Sequence, residues 1–314
     1  ISPKALFRMK NKVFSQRYGK WDNRINLINY KNIFNFKKND FELLIIGTPP
    51  NTHIKLFKIF KEKYNFKKIL IEKPLCSNTE KNIEKVFKKE KKIKVFIGYN
   101  HSVSDSFKYF LLKLKKIKPK NINFISVKWC EGWRGILNAH FWLKNEFDTY
   151  LGDLKKGGGA LHEHSHGLHI LLVLLNNIKK KLPQKHKKII SYNKNKKRIY
   201  YDNYSHASWK IDNLLISYQT DLLSDPAEKS VKIFTKNEVL LWYNNYVPNK
   251  DLVSIRNIKY NKQKEIFFKK SRSSDFINEI KYILNTKNYY EYKNSPININ
   301  YGLNVQKLIR NTLR

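Results

Sequence analysis

Three short stretches of this sequence hold residue types that could do chemistry together. The first is Gly47-Thr48-Pro49-Pro50-Asn51-Thr52-His53. A threonine hydroxyl followed by the free N–H groups of an opening helix can hold a phosphate or a ribose. The same residues also suit a rigid turn with a proline-started helix. The second is Glu72-Lys73-Pro74. A lysine that follows a buried strand can be partly desolvated, and its ammonium can hold a hydroxyl or carbonyl oxygen. Pro74 fixes the backbone beside it, with a cis peptide as one option. The third and densest stretch runs from Gly157 through three glycines and Ala160 to His162, Glu163, His164, His166 and His169, so four of the nine histidines lie within eight residues. If a helix begins near Ala160, Leu161, Leu168, Leu172 and Leu175 form its apolar stripe, and His162, His166 and His169 share another face. A neutral imidazole titrating near about 6.5 can take and return a proton at working pH.

The same histidines spell His-Glu-x-x-His from His162 to His166, the pattern of zinc hydrolases, with Glu163 as the base. Against that reading, the remaining nearby histidine, His169, sits on the same predicted helix and would not easily complete a tetrahedral site. The preceding run of glycines also has no place in it.

The elements that must position these stretches follow from apolar periodicity. Residues 41–46, 68–71 and 94–99 are compact apolar runs, separated by amphipathic stretches at 53–64 and 78–92, the latter capped by Ser77 or Asn78. Another helix runs on to Lys116. Such alternation is the sequence form of βαβ units with a parallel sheet. The ligand crevice of such a sheet lies outside the carboxyl ends of its strands, so Thr48, Lys73 and Asn100 should converge there. Beyond Lys118-Pro119-Lys120 the pattern changes. A long strand is expected over 121–133, a helix to 176, and consecutive strands at 189–192, 206–211, 214–218, 230–234 and 239–243. Short turns such as Asp212-Asn213 make that sheet antiparallel. Helices at 276–284 and 303–313 close the chain, so the fold class is α/β followed by α+β.

Composition narrows the options. With 41% hydrophobic and 14% aromatic residues the chain should fold. Its longest apolar run, 168–175, contains His169 and is too short to span a bilayer, so no membrane association is expected. The net charge of +38 invites a nucleic-acid reading, but only nine of the 63 basic residues are arginines. Scattered lysine of this kind reads as a solvated surface that attracts anionic substrates, and no nucleic-acid partner is expected. Two cysteines, Cys76 and Cys130, make no disulfide framework, and no secretory signal precedes them, which fits a cytoplasmic protein. The chain begins with Ile, and Met9 is its only methionine, so a start further upstream is expected.

Taken in order, the three stretches resemble the glucose-fructose oxidoreductase and inositol dehydrogenase (Gfo/Idh/MocA) family of nicotinamide enzymes, from about Phe41 to the C-terminus. There a strand ends in Thr-Pro-x-x-x-His, as at Thr48, Pro49 and His53, and the next in Glu-Lys-Pro. A third ends like Gly98-Tyr99-Asn100, and a glycine turn introduces the helix with the catalytic histidine. The resemblance implies a partial Rossmann domain over 1–118 and a substrate domain with an open, mainly antiparallel sheet over 119–314. It implies NAD or NADP held by Thr48, Pro49, Pro50, His53, Glu72, Lys73 and Asn100. It further implies a sugar, cyclitol or nucleotide-sugar substrate facing Lys73, His101, His162, His166 and His169. Lys73 would orient the reacting oxygen and His166 would take the hydroxyl proton, with Glu163 as an assisting acid. Family members often pair through the open sheet, so a homo-oligomer is expected, supported by aromatic residues between Trp209 and Trp242 read as exposed. A non-catalytic dinucleotide-binding protein on the same scaffold is the alternative.

Three departures from the family pattern stand out. The Gly-x-Gly-x-x-Gly loop does not occur, so residues 2–10 are read as the tail of a first helix and 12–15 as the second strand, with Arg17 after it favouring NADP. The acid four residues before the histidine is replaced by His162, and the acid three residues after it by His169.

Overall fold

Apolar runs stopped by proline and polar turns produce a parallel sheet of three strands, β1 (Asp40–Ile46), β2 (Asn65–Ile71) and β3 (Lys94–Ile97), in the order β1-β2-β3. The computed structural model describes residues 3–28, 40–88, 93–196 and 198–314. Between β1 and β2 the helix Pro50–Lys63 starts on a proline at its first position and buries His53, Ile54, Phe57 and Phe60, one face at helical spacing. Burying a side chain such as Ile54 or Phe57 contributes about 1.5–3 kcal/mol. After β3 a 3₁₀ turn, Asn100–Val103, leads into the helix Asp105–Leu114. Ser104 caps that helix by accepting from the Phe107 N–H.

The second sheet holds eight strands: β4 (Ile122–Cys130), β5 (Lys187–Asn195), β6 (Arg198–Ile211), β7 (Leu214–Asp221), β8 (Glu228–Thr235), β9 (Glu238–Val247), β10 (Lys250–Asn257) and β11 (Lys262–Lys269). Their order is β11-β10-β9-β8-β4-β7-β6-β5, antiparallel throughout except for β4 beside β7. The β6–β7 turn places Asp212 at φ 54°, the left-handed backbone that a tight hairpin turn requires. The helix Ser165–Asn177 packs on β4 and β7, and Asp105–Leu114 packs on β9, β10 and β11. The C-terminal helix Ile299–Leu313 returns to β3. Just before it, the Ile97 N–H donates to the Ile297 carbonyl at 2.9 Å. Side chains from both sheets, among them Ile69, Phe96, Trp129 and Trp242, share one buried core.

Several expectations are corrected. Residues 12–15 are helical, within the π-helix Met9–Phe14 and the α-helix Ser15–Tyr18. Val13-Phe14 is too short an apolar run to separate strand from helix, and the ring of Phe14 packs on Trp21 at 4.8 Å. Arg17 lies inside that helix and follows no strand, so the basis for preferring NADP disappears. The helix expected over 78–92 is Ile83–Lys88, and residues 89–92 fall outside the described residues. Its early start is pre-empted by the C-terminal helix: Gln306 donates to the Asn78 side chain at 3.2 Å, Arg310 donates to the Glu80 carbonyl, and Asn82 turns to φ 55°. Trp209 and Trp242 are buried, not exposed. Trp242 donates its indole N–H to Ser106 and packs against Phe107, while Trp209 stacks on His186. The strands β10 and β11 and the helices Trp133–Ala139 and Tyr289–Lys293 were not anticipated. Among the described residues no helix is long and apolar enough to cross a membrane.

One glycine sets how closely the histidine-bearing helix approaches the second sheet. A Cβ on Gly167 would lie 2.8 Å from both Trp129 Cβ and Tyr218 Cε2. The Trp129 atom is fixed to the β4 backbone and cannot swing away. We expect Gly167→Ala to destabilise the protein by about 1–3 kcal/mol, because overpacking outweighs the gain in helix propensity. Urea unfolding checks this, and an unchanged or raised midpoint would count against so tight a seat.

Candidate active site

Lys73 leaves the end of β2 beside a buried strand and next to Pro74, with a cis Lys73–Pro74 peptide. Its ammonium donates to the Glu163 carboxylate at 2.9 Å and to the Glu163 carbonyl at 2.6 Å. Both side chains are largely shielded, at 16% and 19% exposure. Burial works against ionising Glu163, yet the Lys73 ammonium and nearby His164 hold its carboxyl below the usual range. Glu163 is therefore a fixed carboxylate committed to Lys73.

The helix that carries Glu163 is not continuous. Ala160–Glu163 and Ser165–Asn177 are separate helices that break at His164, whose carbonyl accepts the buried Tyr218 hydroxyl at 3.2 Å. The break divides the expected histidine face. His162 is fully buried, and its Nδ1 pairs with the Gly158 carbonyl at 3.0 Å. Burial lowers its pKa to about 4. His169 stacks on Tyr99 with ring centres 4.2 Å apart and donates from Nε2 to the Pro296 carbonyl at 2.6 Å. Its pKa falls to about 3, again chiefly through burial. His166 faces elsewhere, with its ring 4.6 Å from His101, 5.6 Å from Tyr99 and 6.0 Å from Trp129. Burial first, then the neighbouring charges of His101 and Lys73, hold it well below the ordinary histidine range. Its buried Nδ1 has no hydrogen-bond partner.

At the other strand ends, His53 bridges two turns, with Nε2 2.6 Å from the Thr48 carbonyl and Nδ1 3.2 Å from the Leu75 carbonyl. It thereby ties the end of β1 to the segment after β2. Thr48 and Thr52 share a hydrogen bond of 2.6 Å, and Pro50 lies under Gly157. Asn100 is buried with its side-chain oxygen unpartnered, a free acceptor at the third strand end. Glu72 packs on Gly98, and burial pushes its carboxyl up while the Lys73 charge opposes this. Thr48, Glu72, Lys73 and Asn100 thus all follow strand ends of the first sheet, and Lys73 reaches across to Glu163.

Sequence reasoning missed residues that reach the site from distant elements. Asp202 on β6 accepts the Leu161 N–H at 2.8 Å and so caps the short helix, while Gly159, at φ +94°, leaves room for that carboxyl. Tyr150 is half-buried, and its phenol is pushed up by burial and by the Glu163 and Glu72 carboxylates. Asp275, on the helix Ser274–Asn285, bonds His101 at 3.0 Å. No local pattern around these three marks them as site residues. Since the helix breaks between His162 and His166, the zinc-hydrolase motif loses the common face it needs. Among the described residues no group of three or more His, Cys, Asp or Glu is arranged to hold a metal.

The chain matches no protein-family profile and no curated protein sequence. Its fold is shared by solved structures of low sequence identity. An inositol dehydrogenase homolog complexed with NAD+ from Azotobacter vinelandii has TM-score 0.70 at 12% identity, over 96% of this chain and 83% of that one. The WlbA dehydrogenase from Bordetella pertussis, in complex with NADH and UDP-GlcNAcA, has TM-score 0.63 at 13% identity, over 100% and 85%. The transcriptional regulator Gal80p from Kluyveromyces lactis has TM-score 0.63 at 13% identity, over 87% and 74%. The two-sheet architecture expected from the family resemblance is therefore the architecture of this chain.

His53, His101, His162, His164, His166 and His169 all have lowered pKa values through burial. Such a histidine stabilises the fold fully above its unfolded pKa of about 6.5 and loses that contribution as pH falls toward its folded value. Asp202 acts oppositely: burial raises it to about 7, so its contribution declines as pH rises between about 4 and 7. A difference between variants separates the two. Between pH 7 and 4 the wild type should lose roughly 3 kcal/mol more stability than His162→Gln, given the folded value of about 4. Parallel urea-derived stability curves for the two proteins would contradict a neutral buried His162.

Proposed function

We propose that this protein is an NAD(P)-dependent oxidoreductase acting on a secondary alcohol or ketone of a sugar, cyclitol or nucleotide sugar. On this reading residues 1–118 serve the cofactor and 119–314 the substrate. The observation that carries it is the contact of Lys73, from the end of β2, with Glu163, 90 residues further along the chain at the histidine helix break, close enough for the Lys73 charge to act on His166 as well. A neutral imidazole and an oriented ammonium are the pair needed to move a hydroxyl proton while a hydride is transferred. The dinucleotide-bound structures that share the fold support the cofactor class.

The residues present suit the nicotinamide end of such a cofactor. Asn100 offers a buried, unpartnered acceptor, and Thr48 stands at the next strand end but one, before the N-terminus of Pro50–Lys63. When bound, the cofactor would supply the hydride acceptor or donor. The chain's own residues do the rest: Lys73 donates to the reacting oxygen and fixes its position, and His166 takes or returns the proton. A cavity of about 380 Å³ lies on the loop that also carries Tyr150, lined by Lys155, Lys156, Arg198, Tyr200 and Phe147, with one carboxylate, Asp153, 3.4 Å from Lys156. Its cations and aromatic rings favour a substrate with an anionic, ring-bearing substituent, a nucleotide sugar over a free cyclitol. Exposed Ile189, Ile199, Leu215 and Phe267 on the second sheet support pairing of two copies there, and the setting proposed is the cytoplasm.

A nicotinamide absorbance assay with NAD+ and NADP+ against sugars, cyclitols and UDP-sugars tests the reading. Lys73→Ala alone would strand the Glu163 carboxylate, so Lys73→Met is best made together with Glu163→Gln. That double variant and His166→Gln should each lower kcat/KM by roughly 10²–10⁴-fold, with a thermal midpoint within a few degrees of wild type. Dinucleotide binding with no turnover on any substrate would instead indicate a regulatory protein on this fold.

A further inference from the structure

Glu163 is turned to Lys73, which donates to its Oε2 and its carbonyl, and among the described contacts it makes no hydrogen bond to His166. His162 occupies the place of an expected acid and bonds the Gly158 carbonyl. His166 is left with an unpartnered buried Nδ1 and no carboxylate of its own. The imidazole beside it is differently placed. His101 lies 4.6 Å away, ring centre to ring centre at 63°, and its Nδ1 is 3.0 Å from Asp275 Oδ2.

The groups facing this pair come from several elements. Asp275 also accepts from Lys270 at 3.0 Å, and Lys270 reaches Asp251 at 2.8 Å. Asp251 in turn accepts the Ser106 hydroxyl at 2.6 Å and the Asn245 N–H at 2.8 Å, so the carboxylates and lysine are cross-braced. On His101 the Asn244 amide approaches Nδ1 at 3.3 Å, and the Trp129 ring lies 5.3 Å away. Lys270 and Lys229 act on His101, while Lys73, His169 and Lys229 act on His166, all against protonation. Asp275 is the carboxylate that opposes them, and of the two imidazoles it bonds only His101.

We propose that one proton passes between His166 and His101, whose rings pack 4.6 Å apart without a hydrogen bond between them in this structure, and that Asp275 favours its place on His101. In the direction of alcohol oxidation, the hydroxyl O–H bond breaks and its proton reaches His166. The proton then passes to His101, where the Asp275 carboxylate compensates the imidazolium; a nicotinamide cofactor, when bound, would accept the hydride. His166 returns to its neutral form, and the partly exposed His101 gives its proton up to solvent before the next turnover. His101 and Asp275 are positioning residues, acting through His166. Two imidazoles this close cannot both be charged without strong mutual repulsion, so their titrations are coupled. The proposal deepens the oxidoreductase reading, but its geometry can be tested without substrate or cofactor.

The test is histidine-selective ¹⁵N NMR on the full chain, with resonances assigned through His101→Gln and His166→Gln. At neutral pH the wild type should show His101 protonated at Nδ1, with that proton displaced downfield by the carboxylate. In Asp275→Asn it should move upfield. On acidification the first proton should enter at His101. Asp275→Asn should lower the His101 midpoint by about one pH unit or more, and His166→Gln should raise it. The His166→Gln arm reads the coupling even if Asp275→Asn fails to fold. Independent titration of the two rings, a His101 Nδ1 without a proton, or a His101 signal indifferent to Asp275→Asn would each overturn the proposal. Turnover offers a second readout: Asp275→Asn should reduce kcat by more than it alters KM, with Asp275→Glu restoring part of the loss. A protein with no turnover on any substrate would sink the oxidoreductase reading, while the NMR result still decides whether the proton is shared.

Discussion

Lys73 and Glu163 come from different sheets' connections, 90 residues apart, and the ion pair between them holds the crevice in register. A buried pair of this kind is a weak source of net stability, because desolvating two charges offsets most of their attraction. Its force lies in what it forbids. Separating the partners leaves an uncompensated charge in a shielded place, at a cost of about 3–5 kcal/mol. The carbonyl of Glu163 is also held by Lys73, so the last turn of Ala160–Glu163 is fixed from both its side chain and its backbone. With that turn fixed and Gly167 seated on Trp129, the ring of His166 between them has little freedom.

Much of this arrangement can be read from the chain. The alternation over 40–118 marks the parallel sheet because β2 and β3 end in runs buried on both faces and the helix Pro50–Lys63 buries one, which leaves two distinct periodicities. Glu72-Lys73-Pro74 is legible because a charged pair stops a buried strand abruptly. The histidine run is legible by density alone, but its geometry is not. A continuous helix is the natural extrapolation from Ala160 onward, and nothing local signals that Tyr218, on β7, holds the carbonyl of His164 where the helix breaks. Asp202 and Asp275 are invisible for the same reason: each belongs to an ordinary amphipathic strand or helix, and only the tertiary fold brings it to a backbone N–H or an imidazole. The strands β10 and β11 hide in a stretch where exposed lysines interrupt the alternation.

Charge is handled in opposite ways inside and outside. The net +38 spreads over a lysine-rich exterior, where solvent screens it. Inside, six imidazoles are kept neutral chiefly by burial, and the cations near them, Lys73, Lys229 and Lys270, add to that bias. A site so strongly set against positive charge suits a group that must accept a proton only in passing.

Fold alone does not decide what such a site does, since the same architecture serves dehydrogenases and a transcriptional regulator. The discriminating question is physical. A hydride can leave an alcohol only if the hydroxyl proton has somewhere to go, and an unassisted imidazole buried beside Lys73 is a poor destination. In this chain the positions that would carry an acid near His166 hold His162 and His169, both bonded to backbone carbonyls. The one route from His166 to a carboxylate among the described contacts runs through His101 to Asp275. Burial works against ionising Asp275, yet its bond to His101 first and Lys270 second hold its carboxyl at about 2, so it stays an anion at any pH where the protein would work. Lys270 is shared between Asp275 and Asp251, so the two carboxylates outnumber their one cation, and an imidazolium formed at His101 during turnover would balance the remaining charge.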